Sequence, residues 1–181
     1  MRSLALALML AAAPAAATEL SIDVAGEANG TVVIDLFEDA APRHVERIVE
    51  LARAGAYDGV VFHRVIDGFM AQTGDVQYGR ADGNTARAGM GGSDLPDLPA
   101  EFSDLPFERG TVGMARSADP DSANSQFFIM FAPAPHLNGQ YTVVGEVTSG
   151  MDVIDAIKRG DGRSGAVGGT PDVMQKVTVS E

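Results

Sequence analysis

Apolar residues alternate with polar ones along most of this chain. Leu20 to Val24 and Thr31 to Leu36 carry that two-residue period, which predicts two strands around a turn at Gly26 to Gly30. In the second strand Val32, Ile34 and Leu36 alternate with Val33, Asp35 and Phe37, so both faces are partly apolar. Further strands are expected at Val60 to Ile66, Phe69 to Thr73, Thr111 to Ala115, Gln126 to Met130 and Tyr141 to Val147. Val173 to Val179 reads as a closing strand. Helical spacing occurs in two places. Val45, Ile48, Val49 and Ala52 form the stripe of a helix starting near Ala41, with Pro42 in its first turn, Asp39 as its cap and Gly55 as its stop. Val153, Ile154 and Ile157 mark a second helix from Met151 to Lys158. Lys158 and Arg159 would sit at the negative end of its dipole, and Gly160 would end it. Many short strands with two distant helices predict a mainly β protein, a closed or nearly closed barrel. The pattern alone leaves a sandwich open.

The N-terminal residues break this pattern. Arg2, the apolar run Leu4 to Ala13 and the small residues Ala15-Ala16-Ala17 read as a secretory signal over residues 1–17. The run is too short for a bilayer span of ~20 residues, and nothing later in the chain is long enough. Residues 18–181 are then expected to form one domain, without repeats or linkers. The formal net charge is −12. That excludes phosphate-backbone binding, which needs clustered Lys and Arg, so no nucleic-acid partner is expected. It reads as a solvated acidic surface, drawing basic clients only through screened attraction. The chain has no cysteine, which excludes thiol catalysis, disulfides and Cys-ligated metals. His44, His63 and His136 lack ligand spacing, and the Asp119, Asp121 and Asn124 turn lacks the full oxygen-ligand pattern of a calcium loop. Neither a metal nor a cofactor is expected.

The residues that carry chemistry fall in three blocks. The first, Phe62-His63-Arg64-Val65-Ile66-Asp67-Gly68-Phe69-Met70-Ala71-Gln72-Thr73-Gly74-Asp75, sets one permanent cation and one amide among Phe and Met. That suits a shallow apolar pocket with a few fixed donors. The second is Gly113-Met114-Ala115-Arg116 with Asn124-Ser125-Gln126-Phe127-Phe128-Ile129, and the third is His136-Leu137-Asn138-Gly139-Gln140-Tyr141. The Gly-rich run Gly89-Met90-Gly91-Gly92 lacks the Lys and Ser or Thr of a phosphate loop. It reads as part of a long surface loop, Asp75 to Pro99, of the kind that borders sites.

Together the three blocks resemble the cyclophilin-type peptidyl-prolyl isomerases, in the order that family shows, from about Leu20 to Val179. The resemblance implies an eight-stranded antiparallel closed β-barrel with a helix covering each end. It implies catalysis of X-Pro bond rotation on proline-containing polypeptide clients, without cofactor. The barrier to that rotation is ~18–20 kcal/mol, and no covalent bond is made or broken. A catalyst need only favour the twisted amide, whose nitrogen has become a hydrogen-bond acceptor. Arg64 suits the donor role, and Gln72 can accept from Arg64 while donating to a substrate carbonyl.

The turn decides whether those two residues meet. A two-residue loop would pair Ile66 with Phe69 and put Arg64 and Gln72 on opposite faces. A three-residue loop of Asp67, Gly68 and Phe69 pairs Ile66 with Met70 and places them together. Function requires the second register.

Carried over by position, the resemblance implies Arg64 as the catalytic cation and Phe69, Met70, Phe128 and Leu137 as the proline pocket. Gln72 and Gln126 supply polar contacts, and the backbone of Ala115 and Arg116 holds the peptide extended. Three positions depart from the pattern. Arg116 stands where many members have Asn. His136 stands where eukaryotic members often have Trp, which implies weak cyclosporin inhibition. Tyr141 stands where many have His, and it can still close the pocket. The resulting expectation is an exported, periplasmic, monomeric isomerase that assists folding of exported proteins. The alternative is a module that binds proline segments, as chaperone or assembly factor, with incidental isomerase activity.

Overall fold

The computed structural model describes residues 17–181, so the expected leader lies outside the described residues except for Ala17. The described strands are β1 (Glu19–Ala25), β2 (Gly30–Leu36), β3 (Val60–Val61), β4 (Arg64–Ile66), β5 (Met70–Thr73), β6 (Thr111–Met114), β7 (Phe127–Met130), β8 (Val143–Ser149) and β9 (Val173–Ser180). The helices are α1 (Pro42–Arg53) and α2 (Met151–Ala156). All nine strands join one antiparallel sheet in the order β3-β9-β1-β2-β8-β6-β7-β5-β4.

The single strand expected at Val60 to Ile66 is broken at Phe62-His63, and its halves are the two edges of the sheet. The segment changes partners at the break. Phe62 N–H goes to the Asp172 carbonyl at 2.9 Å on the β9 side, and Val65 N–H goes to the Gly165 carbonyl at 2.7 Å. Counted as one, β3 and β4 give the expected eight strands. The curled sheet is joined at its edges by this chain segment, and among the described residues no β3–β4 ladder closes it.

Alternation assigns each side chain to a face. Val65, Ala71, Phe127 and Ile129 point into the main core with Leu20, Ile22 and Ile34. Their neighbours Met70, Phe128 and Met130 point outward and build a second apolar cluster with Phe107, Leu137 and Val143. The strands are therefore apolar on both faces for two reasons. One face fills the barrel, and the other floors a surface site.

The helices pack at opposite ends of β1. Arg53, at the end of α1, bonds Glu181 beyond β9, where Glu19 pairs with Ser180. At the other end, a Cβ on Gly30 would lie 2.7 Å from Val153 of α2. Asp39 does not cap α1. Ala41 is the capping position and makes no side-chain bond. Glu101 caps from a distance instead, accepting the backbone N–H groups of Arg43 and His44, each at 3.1 Å. The α2 helix stops at Ala156, short of Lys158, where the Asp172 carboxylate accepts the Lys158 N–H at 2.7 Å. Lys158 pairs with Glu27 at 3.3 Å and Arg159 with Asp67 at 3.0 Å, and Arg159 Nη1 also donates to the carbonyl of Ile157, the residue that closes α2, at 2.5 Å.

Candidate active site

The β4–β5 hairpin pairs Ile66 with Met70 and Arg64 with Gln72, the three-residue register. Gly68 supplies the left-handed residue of the turn at φ 67°, and Phe69 N–H returns to the Ile66 carbonyl at 3.0 Å. Arg64 and Gln72 consequently share the outer face. Arg64 Nη1 donates to Gln72 Oε1 at 3.1 Å and lies 4.0 Å from Met70 Sδ. Its Nε donates to the Ser164 carbonyl at 3.0 Å. Its Nη2 makes no hydrogen bond among the described residues.

Ser164 reaches Arg64 because the 160–166 loop is pinned along β4. Gly160 N–H donates to the Val65 carbonyl at 2.9 Å, complementing the Gly165 contact above. Gly165 has φ 69°, and a Cβ there would stand 2.4 Å from Ile66 Cγ1, so only glycine allows this approach. Nothing in the sequence marks Ser164 as a site residue, because a backbone carbonyl leaves no trace in residue type.

One N–H of the Gln72 amide donates to Gln126 Oε1 at 2.9 Å, which leaves its second N–H for a substrate carbonyl. Gln126 Nε2 donates in turn to the Gly91 carbonyl at 2.7 Å. Arginine can only donate, which orients both amides along this chain of bonds. It ends in the long loop, which is organised by the buried Asp75 carboxylate. Asp75 accepts N–H groups from Gln77 at 3.1 Å, Tyr78 at 2.8 Å, Gly89 at 2.7 Å and Gly91 at 2.9 Å.

Beside this row lies a pocket of about 180 Å³. Phe69, Met70, Phe128, Leu137 and Tyr141 form its apolar lining, and Arg64, Gln72, Ala115 and Arg116 complete it. Phe128 stacks on Phe107 at 5.7 Å and meets Tyr141 edge-on at 5.8 Å. Gly113 makes room for that floor, since a Cβ on it would lie 2.6 Å from both Phe107 and Phe128. A neighbouring pocket of about 430 Å³ shares Gln72, Ala115 and Arg116 and is walled by Gly89 to Ser93 of the long loop.

Two expected site residues lie apart from the smaller pocket. Gln126 lines only the larger one. His136 lines neither and stacks behind Phe69 at 5.8 Å. The Ala115 N–H is committed to the Gln126 carbonyl at 2.9 Å, so only its carbonyl is left for a peptide. The Asp119, Asp121 and Asn124 side chains are used as acceptors for backbone N–H groups, at 2.9, 2.8 and 2.7 Å.

A compact apolar seat with a guanidinium fixed on its rim fits a proline ring and its amide. The family described as "Cyclophilin type peptidyl-prolyl cis-trans isomerase/CLD" matches residues 20–180. The chain belongs to this family. Cyclophilins are peptidyl-prolyl cis-trans isomerases acting on proline-containing peptides, and this cyclophilin is one of them. A probable peptidyl-prolyl cis-trans isomerase of Brucella suis is 61% identical over 154 residues, covering 83% of this chain and 78% of that protein. A peptidyl-prolyl cis-trans isomerase of Helicobacter pylori is 40% identical over 137 residues, 74% of this cyclophilin and 77% of its relative. Among solved structures, a cyclophilin from Hirschia baltica gives a TM-score of 0.71 at 25% identity, covering 88% of this chain and 73% of its own. A cyclophilin-type isomerase of Cryptosporidium parvum gives 0.77 at 23% identity, covering 91% and 98%, a likeness of fold.

Proposed function

We propose that Arg64 catalyses prolyl rotation by donating from Nη2 to the amide nitrogen as it twists out of conjugation. The observation that carries this is the anchoring of Arg64. Two of its nitrogens are tied to Gln72 and Ser164, which leaves Nη2 unpartnered beside the apolar seat. The planar amide has no accepting nitrogen, so the donated bond stabilises the transition state over the ground state. Because the guanidinium is already fixed, little reorganisation accompanies the reaction.

The proline ring rests on Phe69, Met70, Phe128 and Leu137, with Tyr141 closing one side. Gln72 and Gln126 hold Arg64 in register with the loop wall. The Ala115 carbonyl and the Arg116 backbone hold the peptide extended. The enzyme acts alone, as a monomer and without metal or cofactor, on clients exported with it. Cleavage near Ala17 delivers it to the periplasm, a reading supported by the signal-like residues 1–17. Among the described residues no helix is long and apolar enough to cross a membrane.

The test is the isomerisation rate of a short X-Pro peptide with wild type and Arg64→Ala. A drop of ~10²–10³ in kcat is expected for loss of one such transition-state donor. Equal rates would remove Arg64 from this role. N-terminal sequencing of the exported protein settles the leader, and cleavage elsewhere than near Ala17 overturns that part.

A further inference from the structure

The surface cations of this acidic protein are mostly neutralised. Arg53 pairs with Glu181, Arg109 with Asp155, Lys176 with Asp58 and Arg159 with Asp67. Two of the exceptions meet at the groove. Arg64 and Arg116 both line the smaller pocket, and neither has a carboxylate oxygen within 4.0 Å among the described residues.

Arg116 is held in place, and all its partners are uncharged. Its Nε and Nη2 donate to the Gln140 carbonyl at 3.3 and 2.8 Å, and Nη1 donates to the Ser117 carbonyl at 2.9 Å. The guanidinium lies over the Tyr141 ring, 4.4 Å from its centre. Carbonyls and a ring face fix its position without cancelling its charge. Three of its five N–H groups are used, leaving two.

The two cations flank the proline seat. Arg116 follows β6 and Arg64 lies in β4, with β7 and β5 between them. Their strands are three spacings apart, about 14 Å. Arg64 is assigned to the prolyl amide itself. Arg116 is left at the rim shared by the smaller and larger pockets, beside the proline seat. Of the residues that line the two pockets only Asp97 carries a carboxylate; it lines only the larger pocket and accepts from Asn124 at 2.9 Å. The distant acidic surface is screened beyond about 8 Å at physiological salt.

We propose that Arg116 is a specificity residue that makes the groove prefer an acidic side chain next to the proline, against the sign of the protein's own net charge. This selectivity presupposes the isomerase activity above.

The test measures kcat/KM at 0.15 M salt for peptides with Glu, Gln or Lys immediately before proline, and for a second series immediately after it. Wild type should favour Glu over Lys by about three- to ten-fold in one series, since attraction and repulsion each contribute as exposed charge pairs do. Arg116→Gln should bring that ratio to about one, and Arg116→Lys should keep most of it. Salt at 1 M should lower the wild-type ratio, which tests the idea even if the glutamine variant does not fold. A wild-type ratio near one in both series overturns the proposal. So does a ratio that neither salt nor Arg116→Gln reduces. A wild type that isomerises none of the peptides would count against the isomerase reading instead.

Discussion

Arg64 and Gln72 stand opposite one another across a three-residue turn, and the Gln72 amide oxygen accepts a hydrogen bond from Arg64 Nη1 at 3.1 Å. That contact and the Ser164 carbonyl share the work of aiming the guanidinium. Gln72→Leu removes one of the two anchors. Activity should fall about ten-fold, in line with ~1.5 kcal/mol for a hydrogen bond to a charged group. Steady-state kinetics against Arg64→Ala checks this. A loss as large as that of Arg64→Ala would mean that Gln72 does more than position.

Gly113 is a packing prediction. Its Cβ in Gly113→Ala would lie 2.6 Å from the Phe107 and Phe128 rings, both buried. Overpacking of this kind costs about 1–3 kcal/mol. Because Phe128 floors the proline seat, KM should rise as well as the unfolding midpoint fall. A variant with wild-type midpoint and KM would show that the rings move apart without consequence.

Asp75 should govern the long loop. In Asp75→Asn one carboxylate oxygen becomes an amide that cannot accept the backbone N–H groups it faces. Leaving such buried donors unpaired costs about 1–3 kcal/mol. Amide exchange at Gly89 and Gly91, both bonded to Oδ2, should accelerate. Unchanged exchange at both would show that the loop is held by other contacts.

Acid should destabilise the fold through its buried histidines. Burial holds the imidazoles of His44 and His63 below their ordinary value of 6.5, outweighing Glu101 beside the first and Asp75 near the second. The 2.6 Å contact of His44 Nδ1 with Glu101 resembles an ion pair. Yet Nε2 is buried without a partner among the described residues, so a second proton would have no acceptor. The contact is a neutral imidazole donating Nδ1–H to a carboxylate. The unfolded chain therefore binds these protons more tightly. Their contribution is complete above pH 6.5 and is lost as pH falls below it. Burial would raise the Glu101 carboxyl, but hydrogen bonds from His44 and Arg43 hold it below its ordinary 4.5, so a further loss follows beneath that pH. Denaturation midpoints from pH 8 to 4 check this, and a midpoint flat across pH 6.5 contradicts the histidine part.

His136 bears on the cyclic inhibitor. It stacks on Phe69 and leaves both pockets unlined by an indole. Cyclosporin should therefore inhibit weakly, and His136→Trp should strengthen it. Nanomolar inhibition of the wild type in the peptide assay would refute the expectation.

Much of the site was legible because it lies on strands and a short turn. Alternation places Arg64, Met70 and Gln72 on one face once Asp67, Gly68 and Phe69 form the loop. The three motif blocks identified the pocket lining, including Phe128 and Leu137, which residue type alone would assign to core. The element ends were less legible. Asp172 halts α2 and Glu101 caps α1, and neither residue is near its helix in sequence.

Local spacing and residue type were enough for the alternation along the strands, for the family, and for the condition that Arg64 meets Gln72 only across a three-residue turn. The tertiary structure alone decided where Arg64 is anchored, how Gln72 reaches the loop through Gln126, and that Arg116 lies unneutralised over Tyr141. Those contacts join segments far apart in the chain, and several end on backbone carbonyls. Every residue carries such a carbonyl, so only the folded path shows which of them meets a given side chain.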